Sequence, residues 1–227
     1  MLKKTINRYE FLDFIKAIAV LMMIFFHLCY DLSFFKFIDI QINRDLFWIA
    51  QPRIIITLFL LSVGMNLCLV HINKIHWNKI KIRLIKLSVL AASISIVTYF
   101  VFPQKWVYFG ILHHIAVASI LALPFLRWPK FSLIAGIILI IPSAIFKYTY
   151  PFIKLTQKPV DHVALFPWFG VVLIGIFLFH HKVHLTKIPN FKGKKAFLFF
   201  GKYSLEIYII HQAILFPLTY LAYKIFN

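Results

Sequence analysis

Residues 11–31 read FLDFIKAIAVLMMIFFHLCYD, an apolar run that carries four charged or titratable side chains. A membrane-spanning helix needs about 20 mostly apolar residues, so the run is long enough to span a bilayer. A charge at the centre of such a helix costs about 2.5–3.5 kcal/mol, so Asp13, Lys16, His27 and Asp31 each need a reason to be there. At about 100° per residue all four fall within about 60° of one another. The run therefore predicts a membrane helix with one polar stripe.

The composition of the whole chain supports a membrane protein. Among 227 residues, 62% are hydrophobic, 18% are aromatic and only 14% are charged, and the mean hydropathy is +0.85. Soluble domains carry about 45–50% apolar and about 25% charged residues. The surplus of apolar side chains must face lipid, which excludes a soluble enzyme, a disordered tail and a secreted disulfide scaffold. We expect an all-α, polytopic transmembrane helical bundle that forms a single integral-membrane domain over residues 1–227.

Seven apolar runs predict about seven spans, although the fifth and sixth are short enough for a re-entrant segment. The runs cover residues 11–30, 49–70, 84–102, 109–126, 131–146, 163–180 and 203–225. With the N-terminus inside, sixteen Lys and Arg residues fall in the inner segments and eight in the outer ones. This excess predicts the N-terminus in and the C-terminus out. We expect a multi-pass protein of the plasma membrane. The net charge of +18 is better explained by topology signals and anionic lipid than by nucleic acid.

Further histidines gather at the outer level of the predicted bundle. His113 and His114 open the fourth run, Asp161 and His162 precede the sixth, and His211 lies near the middle of the seventh. A metal site is not expected, because these residues lack a short ligand spacing such as HExxH. Five other histidines lie in or beside Lys-rich inner loops, where we expect them to be solvated; they are His71, His76, His180, His181 and His184.

The polar stripe has a structural and a functional interpretation. Structurally, Asp13 neutralises Lys16, Asp31 fixes His27, and the stripe joins helices. We favour function, because joining helices rarely requires a titratable histidine deep in lipid. A neutral imidazole can act as a base or as an acyl nucleophile. Lys16 lies about 16 Å from His27 along the helix, toward the cytosol. The same groups would also suit a proton-coupled transporter, and a non-catalytic membrane subunit is a third alternative.

Five segments, spread over almost the whole chain, carry a family resemblance. They read RYEFLDFIKAIAVLMMIFFHLCYDL, LFLLSVGMNL, FGILHHIAVASIL, DHVALFPWFGVVLIGI and GKYSLEIYIIHQAILFP. In this order they resemble the heparan-α-glucosaminide N-acetyltransferase catalytic-domain family, particularly its short bacterial members. The ten residues between Lys16 and His27 also resemble, more distantly, the Arg/Lys-x10-His signature of the membrane acyltransferase-3 family.

The resemblance implies an acyltransferase that moves an acetyl group from cytosolic acetyl-CoA to a sugar or other glycan acceptor at the outer face. It makes His27 the base or acyl carrier, with Asp31 and His211 as further catalytic candidates. Lys16, supported by Asp13, is the candidate for binding the donor. The candidates for the acceptor pocket are His113, His114, Asp161, His162 and Trp168. The expected partners are the lipid bilayer, acyl-CoA and a glycan or other small acceptor, and a homo-oligomer is left open.

Overall fold

A computed structural model of the chain describes residues 9–42, 44–146, 159 and 161–226. This part of the chain is helical and contains no strand, which confirms the predicted all-α class. Its α-helices are α1 (Glu10–Phe34), α2 (Leu46–His71), α3 (Trp77–Val101), α4 (Ile111–Leu121), α5 (Pro129–Phe146), α6 (Leu165–His180), α7 (Lys194–Lys202) and α8 (Ser204–Phe226). Single 3₁₀ turns lie at Leu123–Phe125 and Val183–Leu185.

Four of these helices, α1, α2, α3 and α8, are long and apolar enough to cross a membrane. The shorter helices α4, α5 and α6 are also apolar. An 11-residue helix such as α4 is only about 16 Å long, about half the thickness of a hydrocarbon core. Seven spans therefore stay a prediction, as does the orientation of the termini. Some of the basic residues that entered the orientation argument lie outside the described residues; they are Lys3, Lys4, Arg8, Lys147, Lys154 and Lys158.

Helix α1 forms the long apolar element that the sequence predicts. Glu10 and Asp13 lie in its first turn, where a negative charge interacts favourably with the helix dipole. The helix ends where the backbone of Lys36 takes a left-handed conformation with φ 62°. The 25 residues of α1 span about 37 Å, which leaves room for a polar group near each end and an apolar centre.

The chain forms two compact units, the first of which comprises the described residues of Met1–Phe59 and His184–Asn227. Here α1 packs against α7 and α8. Helix α7 approaches α1 so closely at Gly201 that a Cβ atom there would overlap the backbone carbonyl of Asp13. An ion pair between Lys194 and Glu10, at 2.7 Å, joins the same two helices. The single domain over residues 1–227 stays a prediction.

The second unit, Leu60–Val183, pairs α3 with α4 and α5 with α6. Gly136 and Gly170 let α5 and α6 approach closely, since a Cβ on either would lie within 2.8 or 2.6 Å of the other's carbonyl oxygen. The Ser132 hydroxyl donates to the carbonyl oxygen of Leu173 at 2.8 Å. Small residues and hydroxyl hydrogen bonds of this kind are typical contacts between membrane helices.

Candidate functional site

The rings of His27 and His211 lie side by side in the first unit. Their centroids are 4.9 Å apart and their planes are inclined by 60°. His27 belongs to α1 and His211 to α8, so two helices that are distant in sequence bring them together. Only 8% of His211 is exposed. The rings are close enough for one small group bound between them to contact both imidazoles.

The ring of His211 has a defined arrangement of donor and acceptor. Its Nδ1 lies 2.7 Å from the backbone carbonyl oxygen of Tyr208. Because a carbonyl only accepts hydrogen bonds, Nδ1 carries the proton and Nε2 keeps its lone pair. That Nε2 atom is buried and has no hydrogen-bond partner among the described residues. It is therefore an acceptor within the protein that a substrate group would satisfy.

The carboxylate of Asp31 is held by Gln212. The Gln212 Nε2 donates to both carboxylate oxygens, at 2.9 and 3.0 Å, and Asp31 is 99% buried, with 1% exposed. The sequence predicts His27 as the partner of Asp31 and does not indicate Gln212. The available signal was a polar amide inside an apolar run, directly after His211. Since the amide nitrogen faces Asp31, the Oε1 of Gln212 points elsewhere; it too is buried without a partner among the described residues.

Asp13 and Lys16 form an ion pair on the first turns of α1. The Lys16 Nζ lies 2.9 Å from the Asp13 Oδ1, and the side chains are 18% and 8% exposed, respectively. The pair matches the structural interpretation, in which the carboxylate neutralises the ammonium. A role of these two residues in donor binding stays a prediction.

The predicted pocket residues belong to the second unit, around the start of α4. His113 Nδ1 accepts from the Gly110 backbone N–H at 3.2 Å, and its Nε2 lies 3.3 Å from the Ser95 hydroxyl. Asp161 accepts from the Ile111 backbone N–H at 3.4 Å. His113 and Asp161 thus organise the beginning of α4.

The other three predicted pocket residues differ in exposure. His114 is fully buried against the backbone of Val163 and Ala164. His162 is exposed and contacts the Tyr108 ring, while Trp168 on α6 is half-buried. No group of three potential metal ligands occurs in the described part of the chain.

Two histidines that we expected to be solvated are buried. His71 is 3% exposed and His184 is 6% exposed. His71 accepts a hydrogen bond from the His76 backbone N–H at 3.2 Å, and His184 packs edge-on against the Tyr9 ring at 5.0 Å. The prediction was wrong because a Lys-rich neighbourhood in sequence does not determine whether the backbone folds over a ring.

A cavity of about 400 Å³ lies at the C-terminal end of α1, next to Asp31 in sequence. Tyr30, Ser33 and Phe34 of α1 line one side, and Gln41 and Arg44 belong to the segment that follows the helix. The lining combines aromatic rings with amide and guanidinium donors. Such a mixture suits a polar ligand with flat apolar faces.

Residues 8–213 match the family model described as heparan-alpha-glucosaminide N-acetyltransferase, catalytic. The chain belongs to this family. The resemblance that the five sequence segments indicated is confirmed, and the match to the heparan-α-glucosaminide N-acetyltransferase family includes His27, Asp31, His211 and Gln212. The family suggests a membrane acetyltransferase-like function. No curated protein and no solved structure matches the chain.

Proposed function

We propose that this protein transfers an acetyl group from acetyl-CoA to a hydroxyl or amine of a glycan or another small acceptor. The observation that carries the proposal is the pair formed by His27 and His211, 4.9 Å apart, in a chain of an N-acetyltransferase family. The free lone pair on Nε2 of His211 supports it further, because the chemistry needs a proton acceptor.

The pair suits either of two routes for acyl transfer. In the first, His27 takes the proton of the acceptor, whose oxygen or nitrogen attacks the thioester carbonyl carbon while the C–S bond breaks. In the second, His27 itself attacks the thioester carbonyl carbon while the C–S bond breaks, and Nε2 of His211 receives the proton that the acylated ring loses and passes it to the thiolate. The acceptor then attacks the acetyl carbon, the bond between that carbon and the His27 nitrogen breaks, and the proton of the acceptor returns to His27. The thiolate of coenzyme A leaves in both routes and ends as the thiol.

The cavity beyond the end of α1 supports an acceptor site close to Asp31. Tyr30 and Phe34 offer aromatic faces, and Gln41 and Arg44 offer hydrogen-bond donors. Under the predicted orientation this end of α1 faces outward, while the excess of basic residues lies on the side of the cytosolic donor. We therefore infer a multi-pass protein of the plasma membrane with its donor inside and its acceptor outside.

The decisive experiment follows labelled acetyl-CoA with purified protein in lipid nanodiscs. Glucosamine and a neutral hexose serve as amine and hydroxyl probes, and release of the coenzyme A thiol is recorded with and without each probe. We expect turnover by the unaltered protein, none above background by His27→Ala, and full turnover by His181→Ala, which removes an exposed histidine.

An acid quench followed by mass spectrometry distinguishes the two routes, because only the second leaves an acetyl group on the protein. Failure to consume acetyl-CoA under any condition would contradict the proposal and favour a transporter or a non-catalytic subunit. Normal turnover by His27→Ala would remove the histidine pair from the mechanism.

A further inference from the structure

A group of basic side chains surrounds the turn between α2 and α3 in the second unit. The rings of His71 and His76 lie 5.9 Å apart. Lys79 and Arg83 follow His76 by three and seven residues on α3, and therefore lie on the same helix face. Both lie in the first two turns of α3, directly after His76. We call His71, His76, Lys79 and Arg83 the basic cluster.

Arg83 has unused donor capacity inside the protein. It is half-buried, and its Nε donates to the Ser119 hydroxyl at 3.2 Å. A guanidinium has five N–H groups, and no other hydrogen bond or ion pair of Arg83 occurs in the described part of the chain. Arg127, nearby in the same unit, differs: its Nε and Nη2 donate to the carbonyl oxygens of Ile72 and Asn73 at 3.2 and 2.8 Å.

The unit offers the basic cluster no carboxylate. Residues 60–183 contain one acidic residue, Asp161, and it lies against the Ile111 backbone at the start of α4. His113 lies at the same end of α4 as Asp161, and its ring is 3.3 Å from the Ser95 hydroxyl on α3. Ser95 is 12 residues, or about 18 Å, along α3 from Arg83, so this end of α4 is distant from the basic cluster. Uncompensated charge at a half-buried guanidinium is costly unless an anion binds there.

We propose that the basic cluster binds the phosphate groups of the acyl donor. The inference rests on the proposed acyltransferase function and assigns donor recognition to Arg83 and Lys79. An arginine suits this task because its planar fork binds phosphate oxygens in a bidentate way. Lys16, the donor-binding residue that the sequence suggests, already has Asp13 as its counter-ion at 2.9 Å, whereas Arg83 has no counter-ion among the residues that the structure describes.

Phosphate reaches such a cluster from two sources, the coenzyme A moiety or an anionic lipid headgroup, and we assign it to the former. The test compares acetyl-CoA with S-acetylpantetheine, a thioester without phosphates, using protein in nanodiscs of zwitterionic lipid. We expect Arg83→Gln to raise the KM for acetyl-CoA at least about tenfold, the loss of one charge-assisted contact. The KM for S-acetylpantetheine and the kcat for both donors should stay unchanged.

Two further variants keep the test independent of the folding of Arg83→Gln. Lys79 is exposed, so Lys79→Gln should fold normally and raise the KM for acetyl-CoA in the same direction. Lys130→Gln removes another exposed lysine of the unit outside the basic cluster and should leave both KM values unchanged. The proposed site would be wrong if Arg83→Gln and Lys79→Gln raised the KM for acetyl-CoA and the KM for S-acetylpantetheine equally. It would also be wrong if neither variant changed either KM.

If the proposed acyltransferase function were wrong, binding measurements would still test the phosphate site. If the unaltered protein turned over neither donor, calorimetric titration with coenzyme A and with pantetheine would still test the basic cluster. Tight binding of coenzyme A alone, lost in Lys79→Gln, would support the phosphate site without acyl transfer. If the variants instead lost co-purifying phosphatidylglycerol and bound coenzyme A as before, the basic cluster would be a lipid site and the assignment to the donor would be wrong.

Discussion

The side-chain amide of Gln212 donates hydrogen bonds to both carboxylate oxygens of Asp31, at 2.9 and 3.0 Å. Each residue has a histidine close by in its own helix. His211 directly precedes Gln212, and His27 precedes Asp31 by one helical turn. The two hydrogen bonds therefore fix α8 against α1 at the level where the two imidazoles meet, 4.9 Å apart. This polar contact positions the proposed catalytic pair.

Replacing Gln212 by leucine should destabilise the protein by about 1.5–3 kcal/mol, because the buried Asp31 carboxylate loses both of its hydrogen bonds. Asp31→Asn should cost less, since the Gln212 amide is still able to donate to the Asn oxygen. Thermal unfolding of the purified proteins measures the difference. In the double variant Asp31→Asn/Gln212→Leu the two effects should be less than additive. Additive effects would mean that the contact contributes nothing to stability.

His211→Ala should lower kcat for acetyl transfer by about 10²–10⁴-fold, the usual contribution of an acid–base group. The KM for acetyl-CoA should change much less, because the proposed role of Nε2 is to hold a proton rather than to bind the donor. Steady-state kinetics beside His181→Ala provide the measurement and its control. A normal kcat in His211→Ala would leave the free Nε2 atom without a part in the reaction.

Lys16→Met should destabilise the first unit, because it takes the ammonium away from the largely buried Asp13 carboxylate. The loss should be smaller than the roughly 3–5 kcal/mol of a fully buried pair, since both side chains keep some exposure. Asp13→Asn/Lys16→Met should recover most of the stability, as judged by thermal unfolding. If Lys16 also contacts the donor, the recovered double variant should keep a raised KM for acetyl-CoA. A normal KM in that variant would assign Lys16 to structure alone.

Gly201→Ala should impair the packing of α7 on α1, because the new Cβ would overlap the Asp13 carbonyl. Overpacking of this kind costs about 1–3 kcal/mol when the backbone is able to shift. Size-exclusion profiles and thermal unfolding in detergent report the effect. Ala196→Ser, on the exposed side of the same helix, is the matched control and should behave like the unaltered protein. Equal stability of Gly201→Ala would show that α7 does not need this close approach.

Local patterns along the chain predicted the helices, one ion pair and the family of this protein. The apolar runs predict the helices because an isolated membrane segment has to satisfy its own backbone, and a helix does so within the segment. The spacing of Asp13 and Lys16 predicts their ion pair because residues three apart on a helix are neighbours. The order of the five segments predicts the family. Each of these inferences needs only residues that are close together in sequence or the order of segments along the chain.

Only the tertiary structure determines which side chains on different helices contact each other. Asp31 meets Gln212 across 181 positions, Arg83 meets Ser119, and His71 and His184 become buried where the sequence suggested solvent. Hydropathy is unable to reveal such contacts in this protein, because the lipid and the bundle interior are both apolar and select similar side chains on every face of a helix. The face that meets a neighbour is set by shape, as at Gly201 and Gly136, and by a few buried hydrogen bonds. Shape complementarity of this kind exists only once the helices are side by side.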